Sequence, residues 1–383
     1  MERKLTKKYP GIKRSTRRLV YGFLRQQPQA TRNDVAAALT LSIPTVSKYL
    51  AHLTETGLAE EKSKLTPGEV GGRAPSTYAA IADARIAIGV SITRRSITTV
   101  AVNLHGRLLA SHRFPMAFKR SDKHAQAVGE QVRKLITEAK IEDEALLGIG
   151  IAMPGLVDTA TGTVVYGRVI DNEGFTAEHF RPHLPADAVI LHDSYAGGLA
   201  EAWAWGNLDN AFHISLNESV GGSVIFHNEV FRLEDGYPGE VGHITVDPGG
   251  EQCYCGMSGC VETVCSSTKL LDAGAQTMEE FFAILERDTK AAKAWDTYTD
   301  FLAITIRNIR ALFGGEVILG GEVGAHMGPY LRDVWVKVEN MALFGEHVKD
   351  YVKLSKQERH PVAAGAALHF IQEFLQDPGP QED

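Results

Sequence analysis

The chain has 383 residues, of which 44% are hydrophobic and 23% charged. That length predicts two or three domains with proper cores, and the composition excludes a disordered or collagen-like chain. No apolar run approaches the about 18 residues of a membrane-spanning helix, and no apolar segment follows the basic start Met1-Glu2-Arg3-Lys4, so neither a membrane span nor a secretory signal is expected.

The net charge of −7 is unevenly spread. Residues 1–80 hold 14 Lys and Arg against 6 Asp and Glu, while the remainder holds 26 against 41. A basic head on an acidic body predicts that the head meets a polyanion. The four cysteines, Cys253, Cys255, Cys260 and Cys265, all fall within thirteen residues. A disulfide framework would spread them out. The cluster instead predicts a metal site in a reducing, cytoplasmic setting.

In chain order, residues 1–14 form a basic arm. From Ser15 a helix is predicted, with Leu19, Val20, Phe23 and Leu24 inward, ending at Pro28. Thr31-Arg32-Asn33-Asp34 is close to a capping box, so a second helix spans 31–39 with Val35, Ala38 and Leu39 inward. Ser42 caps a third helix, 42–55, with Pro44 in its first turn. Ile43, Val46, Leu50 and Leu53 line its inner side, and Gly57 stops it. Strands around 58–61 and 77–81 flank a Gly- and Pro-rich loop and read as a wing. The whole of 1–82 thus matches a winged helix-turn-helix. Its third helix would enter the major groove of double-stranded operator DNA, leaving Thr45, Ser47 and Lys48 to face bases or phosphates. Arg73, behind two glycines in the wing loop, is a candidate for the minor groove. A small helical module that binds protein is the alternative.

The body reads as two similar units. Residues 86–113 and 211–232 each give strand, turn, strand, tight turn, strand, followed by helix and further strands. This predicts an α/β body built by duplication of a β-β-β-α unit. Lobes are expected over 83–190 and 191–360. A helix over 361–376 is expected to pack back on the first lobe, and 377–383 to be a flexible tail.

His243 precedes Cys253-Tyr254-Cys255-Gly256-Met257-Ser258-Gly259-Cys260 by ten residues. One His and three Cys make a closed tetrahedral set for one structural Zn²⁺ per chain: His243, Cys253, Cys255 and Cys260. Four buried thiols without metal are the alternative. Cys265, past the knuckle, reads as a small packed residue.

Gly239-Glu240-Val241-Gly242-His243 followed by the CxCGxxGCxE run from Cys253 to Glu262 resembles the signature of the ROK family, which joins sugar kinases and sugar-responsive repressors. Gly148 through Asp158, His192-Asp193, Ala200-Glu201 and Leu319-Gly320-Gly321 also resemble its motifs. The winged head ending in Gly71-Gly72-Arg73 resembles its repressor branch. The resemblance implies an actin-like, ribonuclease H-like duplicated fold with a sugar in the inter-lobe cleft. It implies that Asp193 matches the kinases' base and that Glu240, His243 and Glu262 contact sugar hydroxyls. His192 stands where the family has Asn. His243 could give one nitrogen to zinc and the other to a hydroxyl.

The departures from the kinase pattern point away from an enzyme. Kinases of the family carry DxGGT on the first hairpin, where this chain has Ser91-Ile92-Thr93-Arg94-Arg95. Their second phosphate loop, GTG, reads Asn217-Glu218-Ser219 here. A carboxylate ~4 Å from a phosphate charge costs ~4 kcal/mol at an effective dielectric near 20. The sequence therefore predicts a sugar- or sugar-phosphate-responsive regulator, expected to act as a repressor and as a homodimer or dimer of dimers. An ATP-dependent sugar kinase is the alternative.

Overall fold

The computed structural model describes residues 16–62, 75–232, 239–357 and 359–378. The head consists of helices α1 (Thr16–Gln26), α2 (Arg32–Leu39) and α3 (Ile43–Glu55) with strands β1 (Ala30–Thr31), β2 (Ala59–Lys62) and β3 (Thr77–Ala80). The strands form one sheet in the order β1-β3-β2. Both predicted caps are present. The Thr31 hydroxyl accepts from the Asp34 amide, and the Asp34 carboxylate accepts from the Thr31 amide at 2.8 Å. Ser42 Oγ accepts from the Thr45 amide at 3.3 Å. Arg73 and the wing loop lie outside the described residues.

The inner faces of all three head helices differ from expectation. The buried face of α1 is Arg17, Val20, Tyr21 and Leu24, while Leu19 is exposed. The reason is a second packing partner: α1 also meets the C-terminal helix, Pro361–Gln376, which rotates the Arg17–Tyr21 edge inward. In α2 the inner residues are Val35 and Ala36, with Ala38 exposed. Ile43 is exposed at the very start of α3, ahead of the inner row Val46, Leu50 and Leu53.

The first lobe carries β4 (Ile86–Ile92), β5 (Ser96–Asn103), β6 (Leu108–Pro115) and β7 (Leu146–Met153). A small hairpin of β8 (Leu156–Asp158) and β9 (Thr163–Tyr166) follows, and then β10 (Ala188–His192). The second lobe carries β11 (Asn210–Leu216), β12 (Val220–Phe226), β13 (Glu229–Val230), β14 (Glu316–Gly320) and β15 (Val352–Leu354). The two large sheets run β10-β7-β4-β5-β6 and β13-β12-β11-β14-β15. Read from opposite ends, these are the same order. In each, the first three strands pair antiparallel and the two later strands join in parallel. The α/β duplication expected from the sequence is therefore present in the topology.

Strand periodicity sorts the first sheet's faces. Ile88 and Val90 pack with Val128, Val132 and Leu135 of α4 (Asp122–Ala139). Ala87 faces the other way, into a cluster with Ala363, Ala367 and Leu368 of the C-terminal helix and with Val20 and Leu24 of the head. The head and the first lobe thus share one continuous apolar cluster. In the second lobe, Ile214, Leu216, Val317 and Leu319 pack beneath the long helix Thr289–Phe313 through Leu302, Ile306 and Ile309.

Helix α5 (Asp193–Trp205) runs between the lobes, against both the C-terminal helix and β12. The C-terminal helix lies so close to its neighbours that side chains are excluded. A Cβ on Gly89 would lie 1.8 Å from the Ala363 carbonyl oxygen, and one on Gly365 would lie 1.6 Å from that of Ala196. Of the segment 377–383 expected to be a flexible tail, Asp377 Oδ1 pairs with Arg17 Nη2 at 2.8 Å, and residues 379–383 lie outside the described residues. Gly89→Ala is expected to destabilise the chain by about 1–3 kcal/mol or more through overpacking. Gly22→Ala, in an open helical position of α1, is expected to stabilise it by up to about 1 kcal/mol. Urea unfolding of both variants checks the pair. Equal effects would contradict the packing described.

Candidate functional site

The parallel strands of both sheets end at one crevice, where open α/β folds place ligands. β7 runs into Pro154-Gly155, β10 into His192-Asp193, and β11 into Asn217. The cavity there has a volume of about 420 Å³, within the range of small-molecule sites. His192, Asp193, Glu240 and His243 all line it, so four of the sequence-predicted sugar residues come together.

Asp193 is the first residue of α5, where the helix dipole favours a carboxylate. Its Oδ1 accepts from the Ser194 amide at 2.8 Å. His192 lies between two acids, with Nε2 3.6 Å from Asp193 Oδ1 and 3.8 Å from Glu240 Oε1. Glu240 and His243 sit on a short 3₁₀ turn, Val241–His243, folded tightly against β12. Gly242 permits this, since a Cβ there would lie 2.2 Å from the Val220 carbonyl oxygen.

Glu262 departs from expectation. It is buried at the start of α6 (Val261–Cys265) and is not among the residues lining the cavity. Its Oε2 accepts from the Val220 amide at 2.6 Å. Burial pushes its pKa up to about 7, against the lowering effect of that bond. The nearby carboxylates Asp193, Glu240 and Glu218 add to the rise. It ties the metal loop to β12 from behind the cavity wall.

The metal candidates are also brought together. The donor atoms of His243, Cys253, Cys255 and Cys260 all lie within 4.8 Å of one another. His243 Nδ1 is 3.6 Å from Cys253 Sγ, and Cys255 Sγ is 3.6 Å from Cys260 Sγ. A tetrahedron with 2.3 Å Zn–S bonds has edges of about 3.7 Å, so the set fits a tetrahedral thiophilic ion. Burial holds the His243 imidazole below its ordinary pKa, against the raising effect of Glu240, which favours the neutral ring a metal needs. Both loop glycines are left-handed, Gly256 at φ +96° and Gly259 at φ +68°. Cys265 is set apart: it is fully buried, its Sγ is 3.9 Å from the Tyr298 carbonyl oxygen, and burial pushes its thiol pKa well up.

The two stretches that the sequence sets against the kinases' phosphate loops, 91–95 and 217–219, meet each other. Arg94, in the turn between β4 and β5, places Nε 3.2 Å from Glu218 Oε1, and Arg95 Nη2 is 3.9 Å from the same oxygen. Arg94 Nη2 also donates to the Val169 carbonyl at 2.8 Å, beside the cavity.

Sequence reasoning missed several cavity residues. Tyr254 is half exposed, with its ring 5.2 Å from that of His243 and perpendicular to it. Its place between two candidate ligand cysteines is the signal available in the sequence. Tyr166 Oη donates to the Tyr254 carbonyl at 3.3 Å, linking the first lobe to the metal loop across the crevice. The 168–175 loop contributes Arg168 and Val169 to the lining. Its Asn172 is buried and donates to the Pro154 carbonyl at 2.8 Å. In the head, Lys48 is exposed on α3, while Thr45 and Ser47 are half-buried. The Thr45 hydroxyl is within 2.8 Å of Ser42 Oγ.

Comparison with known proteins agrees with this picture. The chain is similar to the xylose repressor of Caldicellulosiruptor bescii, at 23% identity over 96% of this chain and 98% of that one. It is similar to the DNA-binding transcriptional dual regulator NagC of Escherichia coli, at 26% identity over 68% of this chain and 64% of that protein. A crystal structure of a ROK family transcriptional regulator, a homologue of the E. coli MLC protein, superposes with a TM-score of 0.75. That match has 21% identity and covers 94% of this chain and 96% of that one. The ROK hexokinase of Thermus thermophilus superposes with a TM-score of 0.61 at 22% identity, covering 75% of this chain and 98% of that one. The ROK family profile matches residues 87–373, so with its duplicated α/β body and its His/Cys cluster the chain belongs to the ROK family.

Proposed function

We propose that this protein is a sugar-responsive transcriptional repressor that binds operator DNA through its head and a sugar or sugar phosphate through the crevice. The observation that carries this reading is a capped helix-turn-helix head on a body that keeps the hydroxyl-binding acids while Arg94 and Glu218 occupy the two phosphate loops. The repressor relatives named above support it.

In this reading Asp193 and Glu240 accept hydroxyl hydrogens, and His192 and His243 complete the set. Glu262 acts from behind, by holding the metal loop on β12. Zinc would be held by His243 Nδ1 and the three thiolates of Cys253, Cys255 and Cys260. When bound it would fix the loop that carries His243 and Tyr254. No ATP chemistry is assigned, because a γ-phosphate would meet the Glu218 carboxylate. Lys48, Ser47 and Thr45 on α3, together with Arg73 of the wing loop, are the proposed DNA contacts. The winged head would span 1–82 and the lobes 83–190 and 191–360, acting as a homodimer or dimer of dimers in the cytoplasm.

Four outcomes test this. Elemental analysis should find one zinc per chain, which Cys255→Ser loses and Cys265→Ser keeps. Retention of zinc by Cys255→Ser would refute the ligand set. Lys48→Ala should lower the salt slope of operator binding by about 1 if Lys48 meets a phosphate. An unchanged slope removes that contact. Asp193→Asn should cost ~1.5–3 kcal/mol of affinity for the inducing sugar, read by calorimetry, because a charged acceptor is lost. Sugar-dependent ATP consumption should stay at the buffer blank, and turnover near ~1 s⁻¹ would overturn the non-enzyme reading.

A further inference from the structure

A second cavity, of about 660 Å³, lies between the head and the body. Its walls come from α1, from α5, from the C-terminal helix and from the turn after β12. It shares no lining residue with the sugar crevice.

Two residues of this wall each carry a buried polar atom with no partner among the described residues: Tyr21 Oη and Arg25 Nε. Tyr21 is 1% exposed. The two residues stand one turn apart on α1, so their polar ends share a face. Arg25 is half-buried, with its guanidinium carbon 5.0 Å from the centroid of the Trp203 ring. Among the described residues it has no hydrogen bond or ion pair. Burial holds the Arg25 pKa below its ordinary value and pushes that of Tyr21 up to about 12, so the phenol keeps its proton. The wall also contains Glu229 and Glu373, and Glu373 Oε1 lies 3.6 Å from His369 Nε2.

Leaving a guanidinium and a phenol partly desolvated and unmatched is costly. Arg25 can only donate, and a protonated Tyr21 donates readily. The matching ligand is one that only accepts. We propose that this cavity binds a small oxyanion group, phosphate or carboxylate, held by Arg25 and Tyr21 of the head. Trp203 of the body backs the guanidinium by a cation–π contact. The site is thus built from both sides of the head–body junction. Trp203 lies in the last turn of α5, the helix that starts at Asp193 in the sugar crevice.

The test uses the full chain in thermal unfolding, titrating sodium phosphate and, separately, sodium acetate against sodium chloride at matched ionic strength. At saturating anion the midpoint should rise by about 2 °C or more over chloride. A larger rise with phosphate assigns a phosphate group, and a larger rise with acetate assigns a carboxylate. Arg25→Met should abolish the rise and Tyr21→Phe should reduce it. Asp193→Asn should keep it, which separates this site from the sugar crevice. A rise no larger than in chloride for the parent overturns the proposal. So does an undiminished rise in Tyr21→Phe together with Arg25→Met, or in Tyr21→Phe alone should Arg25→Met fail to fold.

Discussion

The last helix of the chain touches its neighbours with no room for a methyl group. A Cβ on Gly150 would lie 2.1 Å from the Ala366 carbonyl oxygen, and Gly89 and Gly365 are as tightly met. Close packing of this kind transmits displacement rather than absorbing it. Through it the first sheet, the C-terminal helix and α5 are held together, and α5 presents Asp193 to the crevice at one end and Trp203 to the head at the other. The Arg17–Asp377 ion pair and the shared apolar cluster tie the head to the same helix. That contact sets where α5 stands against the first sheet.

On this frame the crevice concentrates negative charge. Burial raises the pKa of Glu262, and Asp193, Glu240 and Glu218 lie close enough to add to the rise. Such a site suits polyhydroxyl ligands, whose hydrogens the carboxylates accept, and it opposes a triphosphate. The Arg94–Glu218 pair is half exposed, so it stabilises the fold little, of order 0.2–1 kcal/mol. Its importance is positional, since it occupies the ground between the two loops. The metal loop closes the opposite side, with Tyr166 reaching across to the Tyr254 carbonyl.

Features encoded by neighbours in sequence were legible. The Thr31–Asp34 capping box, the Ser42 cap, the two three-strand units and the His243–Cys260 spacing each depend on residues a few positions apart. The crevice acids were legible only through resemblance to a family. Features that depend on distant partners were not legible. Arg94 meets Glu218, and Glu262 turns from the cavity to the Val220 amide. Asp377 is drawn to Arg17. Leu19 was misplaced because helical periodicity says which residues share a face. It does not say that a second helix, from the far end of the chain, will claim the neighbouring one.

The proposed repressor function requires that sugar in the crevice and DNA on the head be coupled through this packed frame. Thermodynamic reciprocity makes that measurable. The affinity of the inducing sugar should be determined by calorimetry for the free protein and for the operator-bound protein. The account predicts weaker sugar binding to the complex, by the same factor by which saturating sugar lowers operator affinity. Equal sugar affinity in the two states would contradict it.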